Sequence, residues 1–182
     1  MLCLTLTVQA EHIAITTPKT ALVIHTQEGA MPQVLYYGAR LSATDEAQID
    51  VMSGYRQSVY PVYGLNSQGE CALEVTHGDG SLATSLVLQS TETRSEGDAR
   101  ITVLHLKDRV QPFYVDVCYK AYQTVDMIET WTEIRNDEKK LSIYISMPRP
   151  TCPSVAATSG CQASTARGPT RGVSARNHYS RA

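Results

Sequence analysis

At 182 residues, with 42% hydrophobic and 19% charged side chains, the chain has the length of one ordinary domain and the apolar content for a core. A formal net charge of −2 argues against nucleic acid as a partner. Ten Tyr against one Phe and one Trp favours strands over helices.

The chain begins with a short apolar run, Leu2–Ala10. Small side chains at Val8 and Ala10 fit the cleavage pattern of a secretory signal, although no positively charged region precedes them. Residues 1–10 are therefore expected to be the remnant of a signal peptide, which places the parent protein in the periplasm or outside the cell. The competing reading is a plain first strand, since Leu4, Leu6 and Val8 alternate with Thr5 and Thr7. The run is too short to cross a bilayer, which takes about 20 apolar residues.

From residue 11 to 147 the chain reads as strands joined by turns. The expected strands are Ile13–Thr17, Ala21–His25, Gln33–Tyr37, Ala72–His77, Ser85–Thr91, Ile101–Lys107, Phe113–Tyr122, Met127–Asn136 and Leu141–Met147. Phe113, Val115, Val117 and Tyr119 alternate with Asp116, Cys118 and Lys120, a period of two with one buried and one wet face. Ile128, Thr130, Thr132 and Ile134 alternate in the same way with Glu129, Trp131, Glu133 and Arg135. Turn signals at Glu28-Gly29, Gly78-Asp79-Gly80, Glu96-Gly97-Asp98 and Asn136-Asp137-Glu138 punctuate the strands. The expected fold is an all-β, mainly antiparallel β-sandwich. Between 42 and 59 the pattern lapses into a polar stretch, read as a solvated connecting loop or one helical turn.

Five short motifs stand in order along this body. They are Tyr36-Tyr37-Gly38, Tyr60-Pro61-Val62-Tyr63-Gly64, His77-Gly78-Asp79-Gly80, Leu106-Lys107-Asp108 and the strand from Asp126 through Trp131 to Asn136. Physically they are strand ends meeting turns, where each glycine is expected to supply a positive φ. In this order they resemble the amino-terminal β-sandwich of glycoside hydrolase family 36, the α-galactosidases. The resemblance implies a partial supersandwich that packs on a separate catalytic barrel. It also implies α-galactoside saccharides as substrates of the full-length enzyme, no cofactor, and frequent homo-oligomers. Family members carry a loop near the position of 42–59 that reaches toward an active site.

Composition breaks at Met147. Residues 148–182 contain no Leu, Ile, Phe, Met, Asp, Glu or Lys, and carry Arg149, Arg167, Arg171, Arg176 and Arg181. Such a segment buries no core, so a disordered C-terminal tail is expected. Its codons suggest a cause. Reading one wobble base with the first two bases of the next codon, Thr158 through Arg171 permits Val-Trp-Leu-Ser-Ser-Phe-Tyr-Gly-Ser-Trp-Ala-Asn-Glu. That run resembles the next segment of the family's sandwich, an apolar strand and a Gly-x-Trp-Ala-x-Glu motif. The tail is therefore expected to be a frameshift product. Strand faces such as Phe113, Val115 and Val117 would then be left partly uncovered.

The chemistry-bearing residues are sparse. A retaining glycosidase needs two carboxyl groups about 5–5.5 Å apart. In the family both are Asp residues on the barrel, so no catalytic residue is expected within this chain. Asp79, Asp98 and Asp108 read as turn formers, and Asp116, Glu129 and Glu133 as solvated strand charges. Trp131 between Glu129 and Glu133 suits sugar stacking, or packing against a neighbouring domain. His12, His25, His77, His105 and His178 show no metal-ligand spacing, so no metal site is expected. Cys71 and Cys118 lie on or beside two strands; pairing is open from sequence, and buried free thiols are the favoured reading. The chain is thus expected to be the non-catalytic sandwich of an α-galactosidase, inactive alone. The alternative is a free-standing sandwich that binds carbohydrate or a protein partner.

Overall fold

A computed structural model describes residues 11–42, 44–45, 49, 57–64, 71–138, 143–146 and 172–180. The expected signal remnant, most of the 42–59 loop and most of the tail lie outside the described residues. Among the described residues eleven strands run in chain order: β1 Glu11–Thr16, β2 Thr20–Thr26, β3 Gln33–Ala39, β4 Gln57–Ser58, β5 Glu74–Thr76, β6 Leu86–Glu96, β7 Ala99–Asp108, β8 Phe113–Tyr122, β9 Met127–Asn136, β10 Ile143–Ser146 and β11 Gly172–Ser180. They form a four-stranded sheet β1-β2-β3-β4, a five-stranded sheet β11-β9-β8-β7-β6 and a small pair β10-β5. Every strand pairing is antiparallel. The all-β antiparallel sandwich read from the period-two alternation is the fold observed.

The core lies between the two large sheets. Ile15, Leu22 and Ile24 from the first face Leu86, Leu104, Leu106, Phe113, Val115, Val117, Ile128 and Ile134 from the second. Phe113 and Val115 are fully buried and Val117 nearly so. The expectation that this face is partly uncovered is therefore corrected: the four-stranded sheet, Tyr60, Val62 and Leu73 close it.

Two further layers lie outside the period-two pattern. On the outer side of the four-stranded sheet, Ile49 packs with Val23 and Leu35. Thr44, Asp45 and Ile49 are helical, and Ser42 caps this turn by accepting from the Asp45 N–H at 3.3 Å. On the outer side of the five-stranded sheet, Ile101, Val103, Cys118 and Trp131 form a second apolar cluster. Trp131 and Glu129 are buried, which corrects the reading of that face as wet.

The segment expected to lack structure contains β11. It lies along the whole of β9, from Gly172 opposite Arg135 to Ser180 opposite Met127. Strand pairing is made by backbone groups, and the edge of β9 presents a row of them, so a segment without Leu, Ile or Phe can still be recruited.

A polar clamp joins the two sheets. The Asp126 carboxylate, between β8 and β9, accepts from the hydroxyls of Thr17 and of Thr20, the latter at 3.1 Å, in the β1–β2 turn. Burial pushes the Asp126 carboxyl up, but hydrogen bonds from Thr17, Thr20 and the Lys19 backbone, with the Lys19 charge, outweigh it and hold it below the ordinary carboxylate value. A carboxyl depressed on folding adds stability above its unfolded value and loses it as pH falls through the folded one. Asp126→Asn is expected to cost about 1–2 kcal/mol near neutrality. The difference from wild type should close as pH drops below about 4, measured by urea midpoints at each pH. A difference that is the same at all pH values would contradict the clamp.

Candidate functional site

The family-like motifs lie in β3, at the ends of β7 and β9 and on the loops around Tyr63 and Asp79, and each has a structural task. Tyr60 and Val62 are buried in the core. The backbone around them is tied down by Ala72 N–H donating to Pro61 C=O (2.6 Å) and Thr84 N–H donating to Tyr63 C=O (3.0 Å). Gly64 has φ +106, and a Cβ there would stand 3.1 Å from the Ala83 Cα. Only glycine meets both the backbone angle and the close approach. Gly38 is different. It lies inside β3 without a positive φ, and a Cβ on it would come 2.6 Å from the Tyr36 hydroxyl, which donates to Ala39 C=O at 2.8 Å. Its role is room for a tyrosine, not turn geometry.

His77 opens the turn before Ser81 and is buried with Phe113 edge-on at 5.6 Å. Its Nδ1 lies 2.7 Å from Glu138 Oε1, and its Nε2 3.1 Å from Thr84 Oγ1. Glu138 Oε2 accepts from the Gly78 N–H at 2.8 Å. Both side chains are almost wholly out of solvent, at 0% and 5% exposure. Asn136, the end of the fifth motif, holds Glu138 in place by accepting its N–H at 2.9 Å. Sequence reasoning missed this pair. The available signals were a histidine next to a turn and a glutamate two residues past a strand-ending asparagine.

The other carboxylates named from the sequence are also engaged. Asp108 is buried and accepts from the N–H groups of Ser85 (2.5 Å), Val110 (2.8 Å) and Gln111 (2.8 Å). Asp79 accepts from Ser81 N–H and the Gln111 side chain. The Ser81 N–H above all, against a smaller desolvation effect, holds it below the ordinary range. Asp98 accepts from Thr124, and Glu133 from the Trp131 indole N–H at 2.9 Å. Asp116 lies 2.8 Å from His105 Nδ1, and Glu129 accepts from the Tyr122 hydroxyl. These groups cap turns, brace strands or satisfy neighbours. Among the described residues none is brought with another into an acid/base arrangement on an open cleft.

Trp131 does not offer a stacking platform. It is 9% exposed, lies over Cys118 and Val103, and is tied to Glu133. Cys71 and Cys118 are free thiols, half-buried and buried. Burial first, then the charges of Glu133 and Asp116, push the Cys118 thiol up to about 12, so it is a packing residue and not a nucleophile. Among the described residues, no group of three or more His, Cys, Asp or Glu side chains is placed to hold a metal ion. No helix among them is long and apolar enough to cross a membrane.

The carboxylates described above serve the turns and strands of this two-sheet sandwich. The chain belongs to the glycosyl hydrolase family 36 N-terminal domain family, whose model matches residues 30–152. Its fold is similar to that of the family 36 α-galactosidase AgaA from Geobacillus stearothermophilus, at 15% identity and a TM-score of 0.60, over 74% of this chain and 23% of that one. It is also similar to the α-galactosidase from Lactobacillus brevis, at 14% identity and a TM-score of 0.60, over 73% of this chain and 22% of that one. A third likeness is to the galactosidase domain of the α-galactosidase-sucrose kinase AgaSK, at 18% identity and a TM-score of 0.62, over 72% and 23%. The chain thus spans about a quarter of the length of the solved structures it matches. Structures of AgaA variants include complexes with raffinose and stachyose. No curated protein sequence matches the chain.

Proposed function

We propose that this chain is the supporting amino-terminal sandwich of an α-galactosidase, whose full-length form hydrolyses terminal α-linked galactose in the periplasm or outside the cell. The carrying observation is the family match over residues 30–152, joined to the structural employment of the described carboxylates. Raffinose and stachyose, which the AgaA variants hold, are the substrate class this reading implies. Export rests on the apolar run before Gln9 and the small residue at Ala10.

The reading assigns the motif-bearing loops to barrel contact. Tyr63 and Val110 are exposed at 51% and 81%, and Leu82 at 48%, on loops that the hydrogen bonds of Thr84, Gln111 and Asp79 tie together. Exposed apolar side chains on a braced frame suit a rigid docking surface. Trp131, whose place in the sequence also suits such a contact, is occupied within its own sheet.

The proposal extends to the tail. One base gained or lost near the Met147 codon accounts for a family match that ends at residue 152 and for a segment without core residues.

The test is turnover. Purified 182-residue chain is expected to release no product from an aryl α-galactoside, because the carboxylate pair that retaining chemistry requires is not assembled among its described groups. Turnover that copurifies with the chain through orthogonal steps would contradict the supporting role.

A further inference from the structure

We propose that residues 90–96 of β6 are a self-complementary edge, through which two copies of this chain pair their five-stranded sheets across a two-fold axis at Thr93.

β6 is the outer strand of its sheet. Its beginning is closed: Leu86–Leu88 is buried, and Leu88 exchanges hydrogen bonds with Gly29 and Ala30. After an irregularity between Leu88 and Ser90, every residue from Ser90 to Glu96 is exposed. Among the described residues no strand lies beyond this half of β6.

The direction of the backbone groups is set by the hairpin. β6 and β7 close on the Glu96–Ala99 pair across the two-residue turn Gly97-Asp98, with Gly97 at φ +62. The pair that closes a two-residue hairpin exchanges hydrogen bonds, and antiparallel ladders alternate bonded and non-bonded pairs. Glu96, Arg94 and Glu92 therefore aim their backbone N–H and C=O groups at β7. Ser95, Thr93 and Thr91 aim theirs outward, where a partner strand would lie.

The side chains then choose the partner and the register. The edge reads Ser90-Thr91-Glu92-Thr93-Arg94-Ser95-Glu96. An antiparallel second copy centred on Thr93 places Glu92 opposite Arg94, Arg94 opposite Glu92, and Thr91 opposite Ser95. Opposed residues must share a sheet face, so the neighbouring registers are two residues away. One of these is centred on Glu92 and sets Glu92 against Glu92. The other is centred on Arg94 and sets Arg94 against Arg94. Opposite charges directly across a ladder attract and like charges repel, so the pattern selects the Thr93 register. Glu92 and Arg94 are each about half exposed; their heads lie 3.4 Å apart, and Glu92 Oε2 lies 3.8 Å from His105 Nε2 on β7, so pairing with a second copy would draw both heads toward the new strand.

Charges on an edge strand commonly serve to keep other strands away. A run of one sign would do that against every copy. The alternating signs here repel the two adjacent registers, and the Thr93 register overlaps more of the exposed edge than one centred on Ser95, which would pair Arg94 with Glu96 beside the hairpin end.

The test is sedimentation velocity of the full 182-residue chain over a concentration series at low salt. The wild type is expected to show a reversible dimer. Glu92→Arg and Arg94→Glu should each weaken it by roughly tenfold or more, because each sets like charges opposite at both symmetric contacts. The double variant Glu92→Arg/Arg94→Glu should restore it, since the swap keeps the complementarity. These positions are exposed, so none of the three variants should alter the fold. As an independent readout, Thr93→Cys should form an intermolecular disulfide on oxidation beyond any seen in wild type, because the Cα atoms of an opposed hydrogen-bonded pair lie about 5.5 Å apart, within disulfide reach. Thr91→Cys should not, because its twin would sit four residues along the partner. A wild type that stays monomeric, single variants that dimerise unchanged, a double variant that fails to recover, or equal cross-linking at 91 and 93 would each overturn the proposal.

Discussion

Glu138→Ala is expected to destabilise the sandwich by about 3–5 kcal/mol, the cost of removing one member of a buried ion or hydrogen-bond pair. The carboxylate is the acceptor for two groups that have no solvent to fall back on, His77 Nδ1 and the Gly78 N–H. Alanine leaves both donors buried and unpaired. Glu138→Gln separates charge from hydrogen bonding. Its carbonyl oxygen can keep the Gly78 N–H while its amide donates to His77 Nδ1, provided His77 moves its own hydrogen to Nε2 and donates to Thr84 Oγ1. The amide variant should therefore lose only about 1 kcal/mol. Urea unfolding of the three proteins at one pH measures both steps. Equal losses for alanine and glutamine would show that the pair holds by charge alone. A negligible loss for alanine would remove His77–Glu138 from the structural frame.

Phe113→Ala should cost a similar amount, about 3–5 kcal/mol, by a different mechanism. Phe113 is fully buried at the start of β8 and fills the space between the sheets beside His77. Its ring cannot be replaced by collapse of the neighbours, because Val115, Leu106 and Leu73 are anchored in separate strands or loops. The denaturant midpoint should fall with little change in slope, since the surface exposed on unfolding is nearly the same. Phe113→Leu keeps most of the volume and should cost less than half as much. Alanine and leucine variants of equal stability would contradict the packing assigned to the ring.

Much of the fold was legible because period-two alternation is a local signal. β8 and β9 have the boundaries read from sequence, Phe113–Tyr122 and Met127–Asn136, because both alternate cleanly and end at turn residues. β6 runs on to Glu96, five residues past the expected Thr91, because the hairpin with β7 carries the polar run in register even though it buries nothing. β4 is two residues long and held by β3, too short for any pattern. β11 carries only a weak alternation, Val173, Ala175 and Tyr179 with Asn177 between them, and pairs with the edge of β9. The burial of Trp131 cannot be read from β9 alone. Its signal lies in β7, where Ile101, Val103, Leu104 and Leu106 put apolar residues on both faces and require a cover on each.

The His77–Glu138 pair was out of reach for a different reason. The two residues are 61 positions apart, and neither sits in a pattern that names the other. Five short motifs could be seen in order, but the hydrogen bonds that join the loop after β5 to those after β7 and β9 exist only after the chain has folded.

The most direct measurement of the proposed role restores the reading frame. The coding DNA is read through the Met147 codon, the single-base change is reversed, and the resulting longer chain is assayed on an aryl α-galactoside beside the 182-residue chain. An open frame that passes through Val-Trp-Leu-Ser-Ser-Phe-Tyr-Gly-Ser-Trp-Ala-Asn-Glu, with turnover in the longer chain and none in the shorter, is the expected result. No open frame beyond the tail, or a longer chain that leaves the substrate untouched, would contradict it.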